Sequence, residues 1–206
     1  SIQPTTAAFE SEWSTVEVSH LLDGSLYLDR SQGTADASEL ARRIQALLAY
    51  SCSTDSDGII FTGSFFGDAV AQARSAIGIP VLRSFDGVLD EALREDRPLY
   101  VLSTAEDSVV LLQEEFRQEV QRRALSTTVS GHVVEGALTA VVSGEAARHD
   151  ELVLNAVESV DPEATIVFAQ FSMERVLSPA IELRRQPVVG PATAAVRLLR
   201  RTIERL

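Results

Sequence analysis

Apolar and polar positions along the 206-residue chain fall into two alternating rhythms. Short apolar runs at 58–62, 80–82, 99–103, 130–134, 165–169 and 187–189 have the length and bounding turn residues of buried strands. The run 16–21 predicts one more strand. Between these runs, apolar positions recur at helical spacing over 38–49, 68–77, 86–93, 108–124, 145–160, 178–185 and 192–206. Strands that alternate with helices predict an α/β fold with mostly parallel sheet.

Two stretches repeat one another. Asp57-Gly58-Ile59-Ile60-Phe61-Thr62 leads through a loop of small residues and a helix to Ile79-Pro80-Val81-Leu82. Ala164-Thr165-Ile166-Val167-Phe168-Ala169 leads through another loop and helix to Gln186-Pro187-Val188-Val189. The repetition predicts two pseudo-symmetric lobes, each a mostly parallel sheet flanked by helices, with a cleft between them. The expected division is 1–97 for the first lobe and 98–189 for the second, with 190–206 crossing back to the first. Ligands of parallel α/β folds bind at the carboxyl ends of strands, so the loops after 57–62 and 164–169 are expected to face one cleft.

The first of these loops, Thr62-Gly63-Ser64-Phe65-Phe66-Gly67, joins a buried strand to a helix start. Helix starts and loop amides suit an anion. Its middle residue is Gly63, which offers no reactive side chain. Thr62, Ser64, Ser103, Thr104 and Ser172 place hydroxyls on loops at strand ends. Ser64, Thr104 and Ser172 also precede helices, where hydroxyl residues cap, and both readings stay open. Phe65 and Phe171 bring bulk to the two loops, as pocket lining or as core. Asp23 follows a strand and reads either as a ligand contact or as a turn cap. His20 ends that strand, His132 lies on a strand and His149 opens a helix; their spacing pairs none of them, so no metal site is expected.

Composition narrows the chemistry. The formal charge is −12, which argues against a nucleic-acid surface and leaves room for a small anionic ligand held by local donors. Every cationic side chain is arginine; without lysine, Schiff-base chemistry of the pyridoxal phosphate kind is excluded. The single cysteine, Cys52, can form neither an internal disulfide nor a cysteine metal cluster and reads as packing. No run is apolar and long enough to span a membrane, and no signal peptide opens the chain, so a cytoplasmic protein is expected.

The chain resembles the aspartate/glutamate/hydantoin racemase superfamily, including its arylmalonate decarboxylase branch. Phe61-Thr62-Gly63-Ser64-Phe65-Phe66-Gly67 is similar to the first active-site loop, where the middle residue is usually cysteine. Leu21-Leu22-Asp23-Gly24-Ser25-Leu26 resembles an upstream loop of one branch, Leu102-Ser103-Thr104-Ala105-Glu106-Asp107-Ser108-Val109 the start of the second lobe, and His149-Asp150-Glu151-Leu152 and Phe168-Ala169-Gln170-Phe171-Ser172-Met173 later segments of the same branch. The resemblance implies cofactor-free chemistry at a carbon beside a carboxylate, with an enediolate held by amides and hydroxyls. It also implies a strand ahead of the segment resembling 1–13.

Both thiols that the resemblance implies are replaced, by Gly63 at the first position and Gln170 at the second, with Ser172 the nearest hydroxyl. Two-base racemisation by cysteine is therefore not expected. The expected function is a thiol-independent enzyme, decarboxylase-, lyase- or cyclase-like, with Gly63, Ser64, Gln170 and Ser172 at the reacting centre. Thr62, Phe65, Ser103, Thr104, Phe171 and Asp23 would bind the substrate, a small-molecule carboxylate. No cofactor, metal, nucleic acid or membrane is implied, and a homo-oligomer is left open. The alternatives are a racemase-type protein inactivated at Gly63 by mutation and a non-catalytic carboxylate-binding module.

Overall fold

The structure is a computed structural model that describes residues 2–206; Ser1 lies outside the described residues. In chain order its helices are α1 (Ile2–Glu12), α2 (Leu26–Gln32), α3 (Ala37–Cys52), α4 (Gly67–Ala73), α5 (Asp86–Ala92), α6 (Glu106–Arg122), α7 (Ala137–Val142), α8 (Ala146–Ser159), α9 (Leu177–Leu183) and α10 (Pro191–Ile203). Its strands are β1 (Ile59–Ile60), β2 (Val81–Leu82), β3 (Leu99–Ser103), β4 (Val129–Val133), β5 (Thr165–Phe168) and β6 (Val188–Val189). All described strand pairs are parallel, β1 with β2 and, in a second sheet, β4-β3-β5-β6. The protein is thus α/β, with parallel sheets flanked by helices.

β3 and β5 are the centre of the larger sheet. Their apolar runs are buried almost throughout, as strands covered by helices on both faces must be. Leu99, Val101, Ile166, Val167 and Phe168 are completely shielded from solvent. The repeat seen in the sequence has a direct counterpart. β1 pairs with β2 through Ile59–Val81, and β5 pairs with β6 through Ile166–Val188, each across an intervening helix.

Two expected strands come out differently, and three helices are added. Residues 16–21 form no regular element and belong to neither sheet. The strand expected over 58–62 contracts to Ile59–Ile60, whose side chains are only half-buried. β1 has a neighbour on one edge alone, so its ladder ends where β2 ends. Helices α1, α2 and α7 form where no element is expected. α1 buries only Thr5 and Ala8, α2 only Leu26 and α7 only Ala137 and Ala140, so none carries a broad apolar stripe.

The last helix ties the molecule together. α10 packs on α1, α5 and the strand β1. Its buried face is built from Ala192, Ala194, Ala195, Val196 and Leu199, and small residues let neighbouring backbones come close. Arg197 donates from Nε and Nη2 to the Glu12 carboxylate at 2.9 Å each and from Nη1 to Glu91 at 2.9 Å. One guanidinium therefore joins α1, α5 and α10. Among the described residues, no helix is long and apolar enough to cross a membrane.

The approach of α5 to α10 depends on Gly87. A Cβ there would meet the Ala195 backbone nitrogen and lie 2.6 Å from the Ala194 carbonyl carbon, both rigid backbone. We expect Gly87→Ala to destabilise the protein by about 3 kcal/mol through forced separation of the two helices. Chemical denaturation of the two proteins measures this; an unchanged midpoint would remove the close contact from the account.

Candidate active site

β3 and β5 run side by side, with Leu102 opposite Phe168. Their carboxyl ends therefore deliver Ser103-Thr104 and Ala169-Gln170 to the same edge of the sheet. The Ala169 amide donates to the Leu102 carbonyl at 2.9 Å, and beyond it the pairing passes to side chains. The Gln170 amide oxygen accepts from Ser103 Oγ at 2.9 Å, from the Thr104 backbone N–H at 2.8 Å and from Thr104 Oγ1 at 2.7 Å. A backbone N–H can only donate, so the amide is oriented with its oxygen inward. Its Nε2 points the other way and has no protein partner among the described residues. The outcome is a neutral donor whose direction is fixed by three hydrogen bonds.

This arrangement changes the roles of two predicted ligand-binding residues. Ser103 and Thr104 are buried, and their hydroxyl protons go to Gln170. Ser103 Oγ in turn accepts from the Ala105 amide at 3.1 Å. They act here as supports for Gln170. Thr62, Ser64 and Ser172 are half-buried, and their hydroxyls have no partner among the described residues. The helical turns that follow Gly63, Ala105 and Gln170 begin without a side-chain cap, so the capping reading of Ser64, Thr104 and Ser172 is not realised.

Each of the two loops opens a short 3₁₀ turn, Ser64–Phe66 and Phe171–Val176. The first turn bonds arise at Phe66, to the Gly63 carbonyl at 3.2 Å, and at Met173, to the Gln170 carbonyl at 3.0 Å. The amides of Ser64, Phe65, Phe171 and Ser172 precede those bonds and lack intra-turn acceptors, as the first N–H groups of any helical turn do. The second loop rests on an apolar cluster that β1 also touches. Phe171 belongs to a core of Ala8, Ala192 and Val196, and Ile60, the last residue of β1, packs against it.

Gly63 has ordinary extended backbone, φ −93° and ψ 98°, so its conformation does not require glycine. Space does. A Cβ at this position would lie 2.9 Å from Phe61 Cε1 and 3.0 Å from Phe66 Cδ2. Those two rings meet edge to face at 6.3 Å and close around the glycine. The strand end beneath is fixed by Ser84 Oγ, which donates to the Phe61 carbonyl at 2.9 Å.

Phe65 is covered from outside by α2. The Tyr27 ring lies 5.8 Å from the Phe65 ring, and the Arg30 guanidinium carbon 4.4 Å from its centroid. This contact has no cue in the sequence, because residues 26–32 show no apolar periodicity from which a helix face could be expected. Asp23 belongs to a different group. Arg43 donates to Asp23 from Nε at 3.1 Å and from Nη2 at 2.5 Å, and to Asp29 from Nη1 at 2.6 Å. Those bonds hold the carboxyls of Asp23 and Asp29 below their ordinary values. Asp23 and Arg43 line a shallow hollow with Leu21, Ala46, Leu47 and Tyr50. His20 Nε2 is 2.9 Å from Thr6 Oγ1 on α1, and Cys52 closes α3 half-exposed.

Glu174 is the carboxylate that anchors the second turn. It accepts from the Ala192 amide at 3.0 Å and the Thr193 amide at 2.9 Å, the first free donors of α10. Burial pushes its carboxyl up, while those bonds and Arg197 pull against the rise. A Cβ on Gly190 would come within 2.5 Å of Glu174 Oε2, so glycine makes room for the carboxylate.

The predicted site residues thus fall into three groups. Gln170, Ser103 and Thr104 form one connected, hydrogen-bonded set, from which Ser172 and Phe171 continue. Thr62, Gly63, Ser64 and Phe65 follow β1, in the other sheet. Asp23 is engaged with Arg43. Among the described residues no group of three or more histidine, cysteine, aspartate or glutamate side chains is placed to hold a metal ion. The first two groups both carry neutral donors, the kind of group that holds carboxylate or enolate oxygen.

The fold is shared with solved structures of known enzymes. An allantoin racemase from Klebsiella pneumoniae superposes with a TM-score of 0.66 at 14% identity, covering 98% of this chain and 82% of that one. A glutamate racemase isoform from Bacillus anthracis gives 0.67 at 12% identity, covering 98% and 77%. An arylmalonate decarboxylase gives 0.56 at 13% identity, covering 82% and 78%. A sequence search of curated proteins finds no match. The family model described as Asp/Glu/Hydantoin racemase matches residues 14–199, nearly the whole chain, and the protein belongs to that family.

Proposed function

We propose that this protein is a cofactor-independent enzyme that acts at the carbon alpha to a carboxylate through an enolate-type intermediate, without a thiol. Its two sheets correspond to two lobes, 1–97 and 98–189, with 190–206 returning to the first and the substrate held between the strand ends. The observation that carries the reading is the Gln170 amide, fixed by Ser103 and Thr104 so that only its N–H groups face outward.

A glutamine cannot remove a proton, and neither can Gly63. A reaction that starts without a base suits such a site. In decarboxylation of a 2-substituted malonate, the bond between the alpha carbon and one carboxylate breaks and carbon dioxide departs. The electron pair left behind delocalises into the remaining carboxylate as an enediolate. Gln170 Nε2, the Ser64 and Ser172 hydroxyls and the free amides of the two turns are donors for that charge, and a proton from water then completes the alpha carbon. Preorganised donors of this kind each supply about 3–4 kcal/mol of transition-state stabilisation. The lack of both thiols supports a lyase over a two-cysteine racemase, while the fold is shared with racemases and an arylmalonate decarboxylase alike.

Incubating the protein with 2-substituted malonates in heavy water tests this. We expect carbon dioxide release with one deuterium gained at the alpha carbon per turnover. Rapid alpha-hydrogen exchange with racemisation of a monocarboxylate, and no carbon dioxide, would overturn the thiol-independent reading. Gln170→Glu keeps an oxygen for Ser103 and Thr104 but turns the outward donor into a second acceptor. We expect it to weaken carboxylate binding roughly 10- to 100-fold, the range of a hydrogen bond to a charged group.

The lack of any group that titrates near neutrality in the connected set favours a second reading, a carboxylate-binding module. It requires malonates to raise the melting temperature with no product formed. The crowding at Gly63 argues against a racemase merely inactivated there. We expect Gly63→Cys to cost about 1–3 kcal/mol of stability as the Phe61 and Phe66 rings are displaced, and to gain no racemase activity. A large gain in racemisation would restore the inactivated-racemase reading.

A further inference from the structure

The arginines of this acidic chain fall into a paired majority and an unpaired minority that includes Arg30. Most of them reach a carboxylate within 4 Å, in networks such as Arg43 with Asp23 and Asp29, or Arg197 with Glu12 and Glu91. Arg30 has no ion pair among the described residues. Its chain neighbours Asp23 and Asp29 are both taken by Arg43, and Asp36 caps α3 through the Glu39 amide. Its guanidinium instead lies over the face of Phe65, 4.4 Å from the ring centroid, the geometry in which an aromatic face attracts a cation.

That placement is built into α2. Tyr27 and Arg30 are three residues apart, one turn of helix, and both bear on the Phe65 ring. The helix end behind them is set by Gly33 in the left-handed conformation at φ 67° and by Thr34 Oγ1 donating to Asp29 Oδ1 at 2.9 Å. Phe65 is part of the turn that follows Gly63, and its own backbone N–H is among the free donors there. A positive charge with no ion pair among the described residues thus lies over the side chain of a residue whose backbone amide is one of the free donors of the turn.

We propose that Arg30 is a specificity-determining residue that recognises the second anionic group of a dicarboxylate substrate at the Gly63–Phe65 turn. The assignment rests on the reading of that turn as half of the substrate site. The guanidinium is planar and always charged, so it can grip a carboxylate edge-on while its face stays on Phe65. A monocarboxylate lying against Gln170 would leave it idle. The site therefore selects dianions such as 2-substituted malonates over their monoesters.

Calorimetric binding of 2-phenylmalonate and of its monomethyl ester to wild type, Arg30→Gln and Arg30→Lys tests the proposal, alongside carbon dioxide release. Arg30 is exposed, and circular dichroism confirms that the variants fold. We expect Arg30→Gln to weaken phenylmalonate binding by about ten-fold or more, the scale of one charge-assisted hydrogen bond. The monoester should bind all three proteins alike, and Arg30→Lys should retain part of the preference. Equal loss of both ligands in Arg30→Gln, or no loss of either, overturns the proposal, as does failure of wild type to bind phenylmalonate. Arg30-dependent binding without carbon dioxide release would support the recognition role while removing the decarboxylase reading.

Discussion

A half-buried carboxylate at the foot of the last helix is the constraint on which the rest of this molecule depends. Glu174 gives both oxygens to the opening amides of α10. It sits in the same 3₁₀ turn that begins with Phe171, directly after Gln170. From that anchor α10 runs across α5 and α1 and lies against β1. One side chain thus fixes the turn beside the second sheet to the helix on which the first sheet rests. The small residues of α10 and Gly87 on α5 allow the approach, and the Arg197 network secures it on the outer side.

Within this frame the site is organised by hydrogen-bond direction more than by charge. Ser103 and Thr104 look, as residue types, like groups that would meet a ligand. In the fold they face inward and determine which way Gln170 points. The donors left for a ligand are the Gln170 amide, the hydroxyls of Ser64, Thr62 and Ser172, and the backbone amides of two turns. At the first loop the equivalent constraint is steric, since Phe61 and Phe66 fill the volume that a side chain on residue 63 would need. Glycine there is a packing requirement of its own neighbours.

Much of this was legible in the sequence where the physical signal was strong. The apolar runs of β3 and β5 are long, bounded and buried on both faces, so pattern alone located them within a residue. α3 and α6 present clear apolar stripes ending in Leu48 and Phe116. The Gln170 loop was legible because it follows such a strand, and the Gly63 loop because an apolar run leads into it, although the strand there is short and half-buried. Residues 16–21 show why a local pattern can mislead: the run is apolar in part, yet it has no ladder partner in the described fold. α2 was invisible because its contribution is the placement of Tyr27 and Arg30 on Phe65, a tertiary contact with no periodic trace. The support role of Ser103 and Thr104 was equally hidden, because it depends on the register of two strands sixty-odd residues apart in the chain.

The fixed amide of Gln170 has a further consequence for how this protein meets acidity. A thiol in the same place would change its charge across the neutral range and carry that change into every rate. A carboxamide and a guanidinium keep one state from mild acid to mild alkali. Any acid limb in the behaviour of the site would then trace the protonation of the ligand's own carboxylates, and the protein would serve as a reader of the ligand's ionic form.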